Sequence, residues 1–317
     1  MLSEIPDNIS LLLSLQQLTL IGIGIRSLPE TIMHLPRLKQ LEVYDCKMLQ
    51  SIPAFSQFIP FVIIWNCESL EKVLSSTVEP SDKPSHGFVF FNCIPLDPHS
   101  YQTVLKDAFL RIELIARLNS ELCYRCFLPV MPDIEYWFHY RSTQVSFTLE
   151  LPPNLLGFSY YLVLSQGHVR DEVDFGCECY LDNSSGERIY ITSIATSCIF
   201  TYRENTIDMI SDHVVLWHDP ASCKQIIEEI KAINDVNNTS YSPKLIFEFF
   251  IYKSETVTIK ECGFHWIYQQ EAASSTVFES NDQEQIAPQQ ILKCLLEELM
   301  HIGFGGDNID TLVGEKK

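Results

Sequence analysis

Four cysteines have the types and spacing of a thiolate metal site. Cys123-x-x-Cys126 and Cys177-x-Cys179 supply the paired ligands that a tetrahedral zinc centre takes from a chain. The long separation between the pairs weakens that reading, and Cys-x-Cys also arises wherever alternate residues of a strand point into a core. His213, His218 and Asp219 carry two of the three groups of a Ser–His–Asp hydrolase. No Gly-x-Ser-x-Gly turn accompanies them to expose a nucleophile. Gly22-x-Gly24 lacks the third glycine of a dinucleotide fingerprint, and the chain has no Gly-Lys-Ser/Thr phosphate loop. Glu204, Asp208 and Asp212 read as a solvated strand edge rather than a metal cage. The expectation is therefore no catalytic residue, no cofactor and no metal.

Binding chemistry is better represented, and a repeat positions it. Ile5-Pro6, Leu28-Pro29 and Ile52-Pro53 recur at 23 and 24 residues, and Leu18, Leu41 and Val62 recur at 23 and 21. The frame L-x-x-L-x-L-x-x-C is written twice, as Leu38-x-x-Leu41-x-Val43-x-x-Cys46 and Ile59-x-x-Val62-x-Ile64-x-x-Cys67. Leu15-x-x-Leu18-x-Leu20 is a third copy without its cysteine. Three agreeing registers are the signature of leucine-rich repeats. On each short strand the Leu/Val/Ile pair points inward and the alternate residues point outward. The outward set includes Thr19, then Glu42 and Tyr44, then Phe61, Ile63 and Trp65. These six are the candidate partner-binding residues. Their apolar end has two readings, a ligand surface or burial against whatever follows the repeats. Leu2 to Ile9 reads as the tail of a coil whose strand is missing, so the expectation is the end of a longer solenoid.

The rhythm stops after Val73, and Ser75–Ser85 reads as a linker rich in Ser, Pro and acid. Asp97-Pro98 is a helix start, and Tyr101, Leu105, Ala108, Ile112 and Ile115 carry a helix to about Arg117. Phe88–Phe91 is a short apolar strand candidate, and alternating segments then predict strands at Val145–Leu151, Gly157–Ser165, Phe175–Leu181, His213–Trp217, Lys244–Tyr252 and Phe264–Tyr268. A short helix is expected over Ser222–Ile233, and a last amphipathic helix over Ile291–Met300.

The whole chain has 317 residues and a net charge of −19. The deficit is spread as −3 over Met1–Ser85, −10 over His86–Gln270 and −6 over Glu271–Lys317. No basic cluster exists to neutralise phosphates, so nucleic acid and anionic membrane surfaces are not expected partners. No run approaches the roughly 20 apolar residues of a membrane span. Eleven cysteines, with no basic-then-apolar leader ahead of Glu4 and Asp7, predict reduced thiols in the cytoplasm, with the nucleus as the alternative.

Several segments resemble a known family in order. Leu41-Glu-Val-Tyr-Asp-Cys46 and Ile64-Trp-Asn-Cys67-Glu-Ser-Leu-Glu71 are similar to the last repeats of plant intracellular immune receptors of the TIR–nucleotide-binding–leucine-rich-repeat class. Phe91-Asn-Cys93, Ala108-Phe-Leu-Arg-Ile112, Tyr136-Trp-Phe138, Arg141-Ser-Thr143 and Phe147-Thr-Leu-Glu-Leu-Pro-Pro153 resemble the domain that follows those repeats. Gly157-Phe158, Cys177-Glu-Cys179, Ser211-Asp-His213, Leu216-Trp-His-Asp-Pro220 and Lys260-Glu-Cys-Gly263 continue the match to about Tyr268. Glu135 departs from it, standing where the family usually has proline. The resemblance implies a C-terminal jelly-roll/immunoglobulin-like domain, abbreviated C-JID.

The expected fold is thus α+β and mainly β: the end of a leucine-rich-repeat solenoid, then an antiparallel β-sandwich with a few helices. Expected boundaries are 1–74 for the repeats, 75–85 for the linker, 86–270 for the sandwich and 271–317 for an acidic tail. By the resemblance, the role is non-catalytic recognition of a pathogen effector or a guarded host protein in plant defence. The TIR and nucleotide-binding domains would be absent, NAD⁺ cleavage would not belong to these residues, and oligomerisation would need a full-length receptor. The alternative is a free-standing jelly-roll binder of carbohydrate or a small ligand.

Overall fold

A computed structural model describes residues 4–53, 59–74, 87–131, 134–182, 187–199, 207–237, 243–254 and 256–269. The helix expected over 291–300 lies outside the described residues. By contacts the chain divides into Met1–Thr276 and Val277–Lys317, and every described residue belongs to the first unit.

The strands in chain order are β1 (Gln17–Ile21), β2 (Gln40–Tyr44), β3 (Ser51–Pro53), β4 (Phe61–Trp65), β5 (Lys72–Leu74), β6 (Gly87–Phe91), β7 (Tyr124–Pro129) and β8 (Tyr140–Ser142). They continue as β9 (Ser146–Glu150), β10 (Leu155–Leu164), β11 (Gly167–Asp182), β12 (Arg188–Ile199), β13 (Ile207–Met209), β14 (His213–His218), β15 (Lys244–Ser254) and β16 (Ile259–Tyr268). Among the described residues two α-helices, α1 (Pro98–Arg117) and α2 (Pro220–Asn237), join them. The molecule is mainly β, built on one large mixed sheet with few helices.

The large sheet begins as a parallel ladder. Leu18, Leu41, Val62 and Phe88 stand in register, as do Leu20, Val43, Ile64 and Phe90. From β2 onward the inward residues of both rows are buried. The 23- and 21-residue periods bring equivalent residues side by side, so each strand extends the apolar rows of the one before. A second, two-stranded parallel ladder of β3 and β5 pairs Ile52 with Val73 on the return side.

Each strand of the ladder ends on a left-handed residue: Gly22, Asp45, Asn66 and Asn92, with φ between 50 and 59°. Glycine takes this conformation freely, and Asn and Asp tolerate it best among the rest. The backbone N–H of that residue donates to the last carbonyl of the next strand, Gly22 to Tyr44, Asp45 to Trp65 and Asn66 to Phe91. Side chains repeat the pattern, Asn66 Nδ2 donating to Asp45 Oδ1 and Asn92 Nδ2 to Asn66 Oδ1.

The sheet does not stop at β6. Through the crossover α1, β7 joins β6 in parallel, pairing Gly87, Phe88 and Val89 with Arg125, Cys126 and Phe127. Gly87 makes this join possible. With φ of 120° and a would-be Cβ 1.6 Å from the Arg125 carbonyl oxygen, only glycine fits. From β7 the pairing turns antiparallel and continues through β14, β10, β16 and β8. β3, β5, β7, β8, β12 and β13 are strands that the alternation had not marked.

Helix α1 covers one face of this sheet. Asp97 caps it by accepting from the backbone N–H of His99 and Ser100, and Pro98 occupies the first position, as the Asp-Pro pair predicts. Phe109 stacks on Trp137 and lies against His265. The opposite face packs on a five-stranded sheet of order β12-β11-β15-β9, with β13 on β11. Rings from both sheets meet there: Phe247 on Phe264 at 4.6 Å, Phe175 on Trp217 at 5.5 Å. Helix α2 is longer than expected. Asp219 caps it through the Ser222 N–H and Pro220 starts it, so it begins ahead of Ser222. It fastens to the sheets through Tyr160–Ser222 and through Gln225 Nε2, which donates to the Ile191 carbonyl.

Candidate functional site

All six candidate binding residues fall on one face of the parallel ladder. Thr19, Glu42 and Ile63 stand in one row, Tyr44 and Trp65 in the next, and Phe61 beside Gln40. Thr19 is exposed, Phe61 is half-buried, and Glu42, Tyr44, Ile63 and Trp65 are buried. Glu42 accepts from Thr19 Oγ1 at 2.9 Å and from Gln40 Nε2 at 2.6 Å, so the carboxylate is held by neighbours in its own ladder. Tyr44 and Trp65 open an aromatic run. Trp65 stacks on Phe91 at 3.9 Å, and Phe91 continues to His213 at 5.0 Å and Phe127 at 5.7 Å. The apolar stripe therefore belongs to the main core, together with Val215 and Met209.

His213 closes this run. After the earlier strands the left-handed residue donates to the next strand's carbonyl, but β7 pairs with β6 only as far as Val89. The N–H of Asn92 is instead accepted by His213 Nε2 at 3.1 Å, while Nδ1 donates to the Ser211 carbonyl at 2.9 Å. The Asn92 side chain completes the join, donating to the Asp208 carbonyl and accepting from the Ile210 N–H. Both imidazole nitrogens are occupied and the ring is fully buried. Burial drives its pKa down to about 4, against smaller opposing effects of the Ser211 bond and Asp212. The geometry is that of a neutral structural histidine.

The other chemistry-bearing residues are dispersed. His218 lies five residues along β14, on the α1 side of the sheet, with Nδ1 on the Phe158 carbonyl and its pKa lowered by burial. Asp219 caps α2. Asp212 is paired with Lys260 and Asp208 with His168, and Glu204 lies outside the described residues. Cys123 is exposed, with Sγ donating to Asp219, and partial desolvation of the thiol and that carboxylate push its pKa up to about 11. Cys126 is buried on the α1 side near Asp107, whereas Cys177 and Cys179 are buried between the sheets. Among the described residues no group of three or more His, Cys, Asp or Glu is arranged to hold a metal ion. No helix among them is long and apolar enough to cross a membrane.

One exposed surface escaped the sequence reading. On the outer face of the five-stranded sheet, Tyr180 pairs across strands with Tyr190, and Phe250 packs against Tyr252 at 4.6 Å. Between these ring pairs, Glu178 of β11 stands directly opposite Glu248 of β15. Tyr190 and Tyr252 are 57% and 54% exposed. The signal was obscured because β12 went unmarked and a register shift after Cys179 brings Tyr190 onto this face.

Comparison with known proteins places the chain beside plant disease-resistance proteins. No family model matches it. Disease resistance-like protein DSC1 of Arabidopsis thaliana is 28% identical over 296 residues, covering 84% of this chain and 24% of that protein. Disease resistance protein RPP2B, also of Arabidopsis thaliana, is 23% identical over 299 residues with the same two shares. The chain thus spans about a quarter of the length of the curated relatives it matches. A solved structure of infectious bursal disease virus Gt strain aligns with 57% of this chain at 11% identity and a TM-score of 0.12, which carries no argument.

Proposed function

We propose that the chain is a non-catalytic recognition module of a plant disease-resistance receptor, sensing a pathogen effector or a guarded host protein by protein–protein binding. In this reading the parallel ladder is the last part of a leucine-rich-repeat solenoid. The two packed sheets are the jelly-roll/immunoglobulin-like domain that follows it, and the module acts in the cytoplasm or nucleus. The observation that carries the reading is the similarity to two disease-resistance proteins over 84% of the chain. Two structural features support it. His213 and Asn92 join the ladder to the antiparallel strands, and eight of the nine described cysteines, together with His213, His218 and His265, are buried. NAD⁺ cleavage is not assigned to these residues.

The test is to titrate the purified full chain with a panel of secreted pathogen effectors by interferometry and to follow each by intact mass. Stoichiometric binding of at least one effector, with both masses unchanged, is expected. Chemical alteration of an effector by the chain would overturn the non-catalytic reading.

A further inference from the structure

The outer face of the five-stranded sheet has a composition that folding alone does not favour. Like charges placed directly opposite on neighbouring strands destabilise a sheet, yet Glu178 and Glu248 occupy such a pair. They are only partly relieved. Tyr180 Oη donates to Glu178 at 2.5 Å, and Arg188 pairs with Glu248 at 2.5 Å from a side chain that is itself 54% exposed. The carboxylates raise the Tyr180 phenol to about 12, through the Glu178 bond first and then burial and the two negative charges. On either side stand the ring pairs Tyr180/Tyr190 and Phe250/Tyr252, in which Tyr190 and Tyr252 are exposed and Tyr180 and Phe250 half-buried. Gly176 keeps the middle low, since a Cβ there would come within 2.0 Å of the Ile194 carbonyl oxygen and 2.6 Å of the Phe250 ring.

Carboxylates flanked by aromatic rings attract one class of group above others, an organic cation. The rings offer their negative faces, and the carboxylates offer charge-assisted hydrogen bonds. Exposed Tyr and Phe are also the anchors most enriched at protein interfaces. We propose that this face docks an arginine- or lysine-rich segment of a partner protein, with Glu178 and Glu248 taking the cationic heads and the four rings covering their stems. Charge complementarity selects this occupant, since the segment His86–Gln270 carries a net −10. A neutral sugar would use the rings but would leave the opposed carboxylates unrelieved. Arg188 is the resident competitor, holding one carboxylate until a partner's cation displaces it. The inference deepens the recognition reading above by naming the face and the chemistry of the partner.

The experiment uses the full chain and three fluorescein-labelled probes: a twelve-residue Arg/Gly/Tyr peptide, its Glu/Gly/Tyr counterpart, and cellohexaose as the neutral sugar. The basic peptide should bind, and Glu178→Gln with Glu248→Gln should weaken it by about tenfold, while Tyr190→Ala or Tyr252→Ala weakens it about threefold each. Arg188→Gln should strengthen binding. Glu228→Gln with Glu229→Gln on α2 makes the same change in net charge away from the face and should have no effect. Equal losses from the two charge pairs, tighter binding of cellohexaose, or weaker binding by Arg188→Gln would each overturn the proposal. Amide exchange on β12 and β15 with and without peptide reports the site even if an alanine variant folds poorly. Lack of protection there contradicts the proposal. Intact effector recognition by variants that have lost peptide binding would sink the face assignment but leave the recognition reading. Peptide binding at this face by a chain that recognises no effector would do the reverse.

Discussion

Replacing His213 by Phe tests the join between the parallel ladder and the antiparallel strands. Phenylalanine keeps a ring against Phe91 and Phe127 but removes the acceptor for the Asn92 N–H and the donor to the Ser211 carbonyl. Leaving those buried backbone groups unpaired costs about 1–3 kcal/mol at pH 7. The pH dependence separates this account from simple repacking. The folded-state pKa, about 4, lies below the unfolded value of 6.5, so the unfolded chain takes up the proton first. The stability that neutral His213 contributes is complete above pH 6.5 and drains as the pH falls toward 4. Between pH 7 and pH 5 the wild type should therefore lose about 2 kcal/mol through this residue alone, a loss that Phe cannot share. Urea unfolding of both proteins at the two pH values gives the difference, because the other buried histidines contribute equally to each. Equal losses between pH 7 and pH 5 would refute the assignment of His213 as a buried neutral acceptor.

Further predictions concern the core and the thiols. Trp65→Ala should cost about 3–5 kcal/mol in urea unfolding, because its ring is buried in a stack on Phe91; a loss under 1 kcal/mol would mean the face is open. Gly87→Ala should prevent the β6–β7 join and lower the melting temperature by more than about 10 °C, or abolish soluble expression. A melting temperature within a few degrees of wild type would contradict the close approach to Arg125. Of the nine described cysteines, Cys123 should be the one alkylated by iodoacetamide in the native state, and slowly at pH 8 because its thiol is pushed up to about 11. Peptide mass spectrometry reads this directly, and rapid labelling of Cys46 or Cys67 would show the ladder to be open.

The ladder was legible because apolar spacing, Pro positions and closing cysteines repeat independently, and the Asp97-Pro98 start because its capping chemistry is local. The continuation beyond Cys67 was harder to see. Phe88-x-Phe90-x-x-Cys93 has the same inward pattern, and Cys93 donates to the Ile64 carbonyl much as Cys67 donates to Val43. A longer insertion, Ser75–Ser85 included, hides its period. β12 was missed because Thr192 and Thr196 occupy buried positions where alternation would call for apolar residues. Whether Tyr44 and Trp65 face solvent could not be read from their own repeats, since burial depends on residues such as Met209, His213 and Val215 far along the chain. The three-way join made by Asn92 depends on atoms more than a hundred positions away.

The recognition role is tested most directly by exchange. The matching quarter of disease resistance protein RPP2B is replaced by this chain, and the resistance spectrum of plants carrying the chimera is measured against a panel of pathogen isolates. The account predicts that the spectrum changes with the segment, and that Glu178→Gln with Glu248→Gln in the chimera abolishes the new response. A chimera that keeps the recipient's spectrum unchanged would contradict it.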